Sequence, residues 1–412
     1  MALIKPFRGL RPAPGRAAEV AAPPYDVLSS EEARARAAGK PWSFLHISKP
    51  EIDLPADIDP YAPAVYAKAA ENLGAMLEAG VLARDAAPCY YAYRLTMGTH
   101  VQTGLVATAS VACYDNNRIR KHEFTRPDKE DDRVRQIEAT NAQTGPVLLA
   151  YPATAAADAL IAKIVSMSNE GEPAADVTAD DGIRHQIWAC DDAETVDAIT
   201  RCFDGMESLY IADGHHRSAA ASRVAAARRQ ENRELSSDHF LAVIFPHHEM
   251  KILDYNRVVK DLNSLEKSAL VERLKDAFAV ESSADRVAPE APGVFGMYLD
   301  KAWYRLTIRP ELIPNDPVAR LDVSLLSDHV LAPILGIADL RRDKRIDFVG
   351  GIRGLSELEK RVDSGEMAVA FALHPTRMDQ LMAVADSNNV MPPKSTWFEP
   401  KLADGLVSHV LD

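Results

Sequence analysis

Apolar side chains recur along this chain at two different spacings, and the switches between them sketch a mixed architecture. Between Tyr61 and Glu78, the positions Val65, Tyr66, Ala69, Leu73, Met76 and Leu77 keep the interval of one helix face, and Gly80 closes it. A shorter helix is predicted at Ser29–Ala38, with Ser29 or Ser30 as N-cap and Glu31 and Glu32 in its first turn. Cys89–Leu95 and Thr103–Tyr114 are rich in β-branched and aromatic residues and read as paired strands. Strands then alternate with helices. Strands are predicted at Pro146–Tyr151, Ile183–Ala189, Ser208–Ala212 and Phe240–Phe245, and helices at Ala155–Met167, Glu194–Phe203 and His216–Arg229.

The pattern restarts near Leu262. Helices are expected at Ser264–Ala277, Val323–Leu335, Leu355–Asp363 and Pro375–Ala385, and strands at Gly296–Leu299, Trp303–Ile308, Arg345–Val349 and Met367–Leu373. The fold class expected is therefore α/β to α+β mixed. Three regions are expected: 1–145, an N-terminal α/β region; 146–261, a central region; and 262–412, a C-terminal α/β region. The opening segment, with Pro6, Pro12, Pro14 and Pro23-Pro24, reads as ordered loop or edge strand, because proline fixes φ and lacks an N–H donor.

Composition narrows the function. A chain of 412 residues, 47% of them hydrophobic, can bury large cores. Its formal charge of −13 argues against a nucleic-acid scaffold, which needs a basic stripe. The densest basic cluster, Arg341-Arg342-Asp343-Lys344-Arg345, is broken by its own aspartate and reads as a solvated loop. The four cysteines form no CxxC pair, so neither a disulfide framework nor paired-thiolate zinc is expected. No apolar run approaches the ~20 residues of a membrane span, and the first residues lack the apolar core of a secretory signal. The expected compartment is cytoplasmic, with no nucleic-acid and no membrane partner. The sequence leaves the oligomeric state open.

The sharpest chemical signal is Ile211-Ala212-Asp213-Gly214-His215-His216-Arg217, where a short apolar strand turns directly into an alanine-rich helix. A helix N-terminus offers unpaired N–H groups and partial positive charge, which together bind anions. Gly214 lets the backbone approach a ligand. His215, His216 and Arg217 add donors, with Arg217 able to grip a phosphate through two nitrogens. Asp213 as a plain N-cap followed by surface histidines is the blander reading. Against it stands the cost of placing two adjacent histidines and an arginine at the positive end of a helix without an anion to offset them.

Other candidates are weaker. Arg118–Arg133 is densely charged with alternating sign, contains Pro127, and leads into a predicted helix ending near Thr140. His122-Glu123 within it is no HExxH zinc motif, since position 126 is Arg. The segment is equally well a charged exposed loop. Lys394-Ser395-Thr396 has the ending of a phosphate-binding P-loop without its glycines, although Pro392-Pro393 fix its entry and Trp397 and Phe398 could wall a pocket. Gly350-Gly351-Ile352-Arg353-Gly354 misses the GxGxxG spacing, and left-handed turn glycines explain it. His247-His248-Glu249, on a strand, would point its histidines apart. Asp328-His329 reads as a packed or capping pair.

The turn Asp213-Gly214-His215-His216-Arg217 resembles the phosphate-binding turn of the ParB/sulfiredoxin-like nucleotide-binding superfamily, in the form found in its free-serine kinases. The whole chain also resembles a large uncharacterised prokaryotic family. That likeness runs through Pro23-Pro24-Tyr25-Asp26-Val27, His122-Glu123 with Asp132-Arg133, Asn141–Pro146, the turn itself, and Met391–Lys401. The first resemblance implies a ParB/sulfiredoxin-like core at 146–261 with additional α/β regions. It further implies Gly214, His215, His216 and Arg217 on nucleotide phosphates, and Asp213 near the metal or the acceptor hydroxyl. The expected activity is nucleotide-dependent phosphoryl transfer, with Mg2+ and ATP or ADP, to a small hydroxyl acceptor, free L-serine first. Glu123 is the candidate base and Asp26 its rival. Arg120, His122 or Lys394 would hold the acceptor carboxylate, and Lys394, Ser395 and Thr396 would add phosphate contacts. A nucleotide-binding regulator that needs no base, and a phosphatase or nucleotide hydrolase with water as acceptor, are the alternatives.

Overall fold

The computed structural model describes residues 2–167, 172–230 and 233–412. The chain folds as two compact units, Met1–Met250 with Pro400–Asp412, and Lys251–Glu399. The mixed α/β class is what the alternating pattern predicted.

In the first unit, a mixed sheet runs in the order Ile119–Arg120, Leu209–Asp213, Val147–Tyr151, His239–Pro246, His100–Ser110, Tyr90–Met97, Arg184–Cys190, Ala175–Thr178. Ile4–Lys5 adds to His100–Ser110. His239–Pro246 is buried at every position, as an uninterrupted apolar run between parallel and antiparallel neighbours should be. Leu209–Asp213 lies antiparallel to Val147–Tyr151, with a register shift between Ile211 and Asp213. That irregularity re-aims the strand's last residue, the usual work of a bulge. Helices Ala155–Met167 and Ala193–Asp204 pack together, as do Pro127–Thr140 and His215–Arg228. In the last helix Ala219, Ala220, Ala221 and Ala225 are buried, and their small size permits close approach. Gly9–Pro12, Leu82–Arg84, Ala142–Gln143 and Ser408–Val410 form a separate small sheet.

The second unit is built on an antiparallel six-stranded sheet, ordered Phe278–Ser283, Ala302–Ile308, Val294–Leu299, Val369–Leu373, Tyr255–Val259, Ile346–Gly350. Helix Leu355–Asp363 packs on it through buried Leu358. A two-stranded ribbon, Lys251–Leu253 with Trp397–Glu399, joins the unit's first and last residues.

Three expectations change. The strand expected to run to Tyr114 stops at Ser110, where the Ser110 hydroxyl accepts the Cys113 N–H and caps a short helix, Val111–Asp115. The helix expected at Val323–Leu335 is α-helical only over Asp322–Leu326 and continues as a π-turn, Ser327–Leu331, ahead of Pro333. His247-His248-Glu249 forms a short helical turn rather than a strand. Among the described residues, no helix is long and apolar enough to cross a membrane.

Candidate functional site

Asp213 ends its strand, and Gly214 then adopts φ 96°, ψ 27°, which turns the chain into helix His215–Arg228. A Cβ at Gly214 would stand 3.3 Å from the Val147 Cα. Glycine is thus required twice over, by the left-handed backbone and by the close approach. No side chain caps the first turn of this helix and none of its residues there is acidic. Its positive end is therefore not neutralised from within, as an anion site requires.

The side chains around the turn come from four stretches of the first unit. The Lys401 ammonium bonds the Asp213 carboxylate at 3.1 Å. Burial works to raise the Asp213 pKa, but the charges of Lys401 and Arg217 outweigh it and hold the carboxyl below its usual range. Arg217 is enclosed. One terminal nitrogen donates to the Pro146 carbonyl and the other to Asp26 at 3.2 Å. The two-nitrogen phosphate grip expected of it is thus occupied by the protein's own groups. Tyr25 faces two guanidinium groups, Arg133 at 3.8 Å and Arg217 at 6.0 Å from the ring centre.

His122 and His215 are buried, with ring centres 4.5 Å apart and planes at 88°. Burial pushes the His122 imidazole down to about 4 and the His215 imidazole well below its ordinary value, with a further push on His215 from His122. His216 is lowered as well, chiefly by burial. The expectation of cationic histidines opposing the helix dipole is therefore corrected: burial disfavours the charged form of all three imidazoles. The positive charge rests on Arg217 and Lys401, facing Asp213 and Asp26. His122 Nδ1 has no hydrogen-bond partner among the described residues.

Of the candidate bases, Glu123 reaches within 3.5 Å of His215 Nδ1, whereas Asp26 is tied to Arg217. Arg120 engages Glu207 at 2.8 Å and the Tyr210 hydroxyl at 3.3 Å. Lys394, Ser395 and Thr396 belong to the second unit. There the Lys394 carbonyl accepts from the buried Arg257 guanidinium at 3.0 Å, and the Ser395 carbonyl accepts from Thr376. In the glycine-rich stretch, Gly354 has a positive φ of 69°, but its ψ of 172° is not that of the left-handed helical turn expected, and Gly350 and Gly351 serve close packing. A Cβ at Gly350 would fall 2.7 Å from the Trp397 indole, and one at Gly351 would collide with the Asp254 carboxylate.

Four residues were given no role from the sequence: Lys401, Asp404, Arg133 and Tyr25. All lie within or just beyond segments already marked, since Lys401 closes Met391–Lys401 and Tyr25 and Arg133 flank Asp26 and Asp132. Asp404 is buried, and burial, only partly offset by Arg217, pushes its carboxyl up to about 7. It lines, with Tyr25, Ser48, Arg133, Thr144 and Arg217, a cavity of about 30 Å³. That is room for one or two water molecules.

No curated protein matches the chain. Among solved structures it is similar to a free serine kinase variant in complex with AMP, at TM-score 0.37 and 13% identity over 73% of this chain and 92% of that one. It is also similar to a conserved hypothetical protein from Pyrococcus furiosus (TM-score 0.35, 14% identity, 73% and 95% covered). A third similar structure is C-terminally truncated SbnI from Staphylococcus aureus (TM-score 0.36, 11% identity, 73% and 85% covered). Residues 4–324 match the model of the family of proteins of unknown function DUF1015, and the chain belongs to that family.

Proposed function

We propose that this protein is a nucleotide-dependent phosphotransferase acting on a small hydroxyl acceptor. The observation that carries the reading is the placement of Glu123 beside the uncapped start of helix His215–Arg228. Phosphates would bind the main-chain N–H groups of Gly214, His215 and His216, with Arg217 and Lys401 supplying charge. Among the described residues, no group of three or more His, Cys, Asp or Glu side chains is placed to hold a metal ion. Asp213, held ionised, is the carboxylate that would hold a Mg2+ arriving with the nucleotide, and the metal would there neutralise phosphate charge.

In the transfer, Glu123 takes the acceptor's hydroxyl proton, the freed oxygen attacks the terminal phosphorus of ATP or ADP, and the shortened nucleotide leaves. Glu123 is preferred to Asp26 because Asp26 is held by Arg217. Free L-serine is the first acceptor to test, on the resemblance of Asp213–Arg217 to the turn of free-serine kinases. Its carboxylate would fall to Arg120, two residues before His122. The partner of Arg120, Glu207, is 88% exposed and so weakly held. His122, neutral and enclosed, is a poor carboxylate ligand.

The test is formation of O-phosphoserine from L-serine with Mg2+ and ATP or ADP, followed by mass spectrometry. Glu123→Gln should lower kcat by roughly 10²–10⁴-fold. It should keep the nucleotide-induced rise in thermal stability, about 2.7 kcal/mol at a hundredfold excess over Kd. Free phosphate in place of phosphoserine would make water the acceptor. Binding without turnover, unchanged by Glu123→Gln, would make the protein a nucleotide sensor. No stabilisation by any nucleotide would end the reading.

A further inference from the structure

The two histidines of the turn share one geometric feature. His215 Nε2 accepts the main-chain N–H of His122 at 3.4 Å, and His216 Nε2 accepts the main-chain N–H of Arg126 at 3.0 Å. A backbone N–H can only donate, so in both rings Nε2 is the lone-pair nitrogen and the single ring proton sits on Nδ1. On His215 that nitrogen lies 3.5 Å from Glu123 Oε2. Adjacent residues at the start of one helix thus grip the same segment at two points four residues apart, and Glu123 lies between them. The His122 ring meets that of His215 at a right angle, with centres 4.5 Å apart.

We propose that the His215 and His216 side chains are positioning residues. They fasten the Lys121–Arg126 segment to the helix start and so fix Glu123 over the phosphate-binding N–H groups, rather than gripping phosphate themselves. The clamp is a statement about the protein without ligand, and its link to catalysis rests on Glu123 being the base. Both ring nitrogens of His215 face the segment, Nε2 bonded to its backbone and Nδ1 3.5 Å from its carboxylate. No change of protonation is needed. A loop bearing a general base gains most from such fixing, because small misplacements of a catalytic group cost rate steeply.

Amide hydrogen exchange on the unliganded protein tests the clamp without reference to any activity. In His216→Ala, the Arg126 amide should exchange at least about fivefold faster, as a hydrogen bond worth about 1 kcal/mol is lost. His216→Gln, which can place an acceptor near the Nε2 position, should restore protection. His215→Gln provides the same comparison at the His122 amide, should the buried site tolerate no smaller residue. In the phosphotransfer assay, His216→Ala should lower kcat and leave the KM for nucleotide within about twofold. An Arg126 amide unaffected by His216→Ala overturns the clamp. A raised nucleotide KM at unchanged kcat would return His216 to the role of phosphate ligand. If the wild type shows no phosphotransfer at all, the function fails while the exchange result still decides the clamp.

Discussion

Gly214 carries two demands at one position, a φ of 96° and a 3.3 Å approach to Val147 by any added Cβ. Gly214→Ala should therefore cost about 1–2 kcal/mol from the left-handed backbone, with the steric approach adding to it. Urea unfolding measures this, and an unchanged midpoint would show that the turn relaxes freely. The same turn was the most legible part of the site, because Asp213 to Arg217 are contiguous and the strand before them and the helix after them are strongly patterned. The protonation of its histidines was not legible. Burial decides it, and nothing in the neighbours of His215 along the chain announces the His122 ring packed against it. Lys401 was equally hidden, since it meets Asp213 across 188 residues of sequence.

Elements were predicted well where one period persisted. Pro63–Glu78, Ala155–Met167 and Leu355–Asp363 match their expected spans closely, their boundaries marked by proline, glycine or a capping residue. Tyr255–Val259 went unforeseen although it lies inside the second sheet, because Asn256 and Arg257 interrupt the apolar pattern while being wholly buried. Asn256 bonds the Leu373 N–H and Arg257 bonds main-chain carbonyls, contacts that only the folded sheet provides. The misjudged end of His100–Ser110 has a similar origin. Val111-Ala112-Cys113-Tyr114 is acceptable as strand, and the hydroxyl of Ser110 tips it to helix. Ser110→Ala should destabilise the protein by about 1 kcal/mol through loss of that cap, read as a lower denaturation midpoint at an unchanged slope. A midpoint equal to the wild type's would show that the cap is replaced by another contact.

For the molecule as a whole, stability should depend on pH through buried carboxyls. In the second unit, Asp322 accepts the Gly293 N–H with one oxygen while the other has no partner among the described residues, and burial pushes the group up to about 7. The folded state then holds a proton that the unfolded chain releases near pH 4. Stability contributed here falls as pH rises from about 4 to 7 and is level above, by at most a few kcal/mol at roughly 1.4 kcal/mol per pH unit. Asp322→Asn, which imitates the protonated acid, should flatten that slope and raise stability above pH 7. A slope unchanged in the variant would exclude Asp322 as its source. The two units also differ in how the chain supplies them. The first is left at Met250 and rejoined at Pro400, and Lys251 pairs with Glu399 where the second begins and ends. During translation, then, Asp213 emerges long before Lys401. The inserted unit is complete in sequence while the nascent first unit still waits for the lysine that neutralises Asp213 and for the strand Ser408–Val410 that bridges Gly9–Pro12 and Ala142–Gln143.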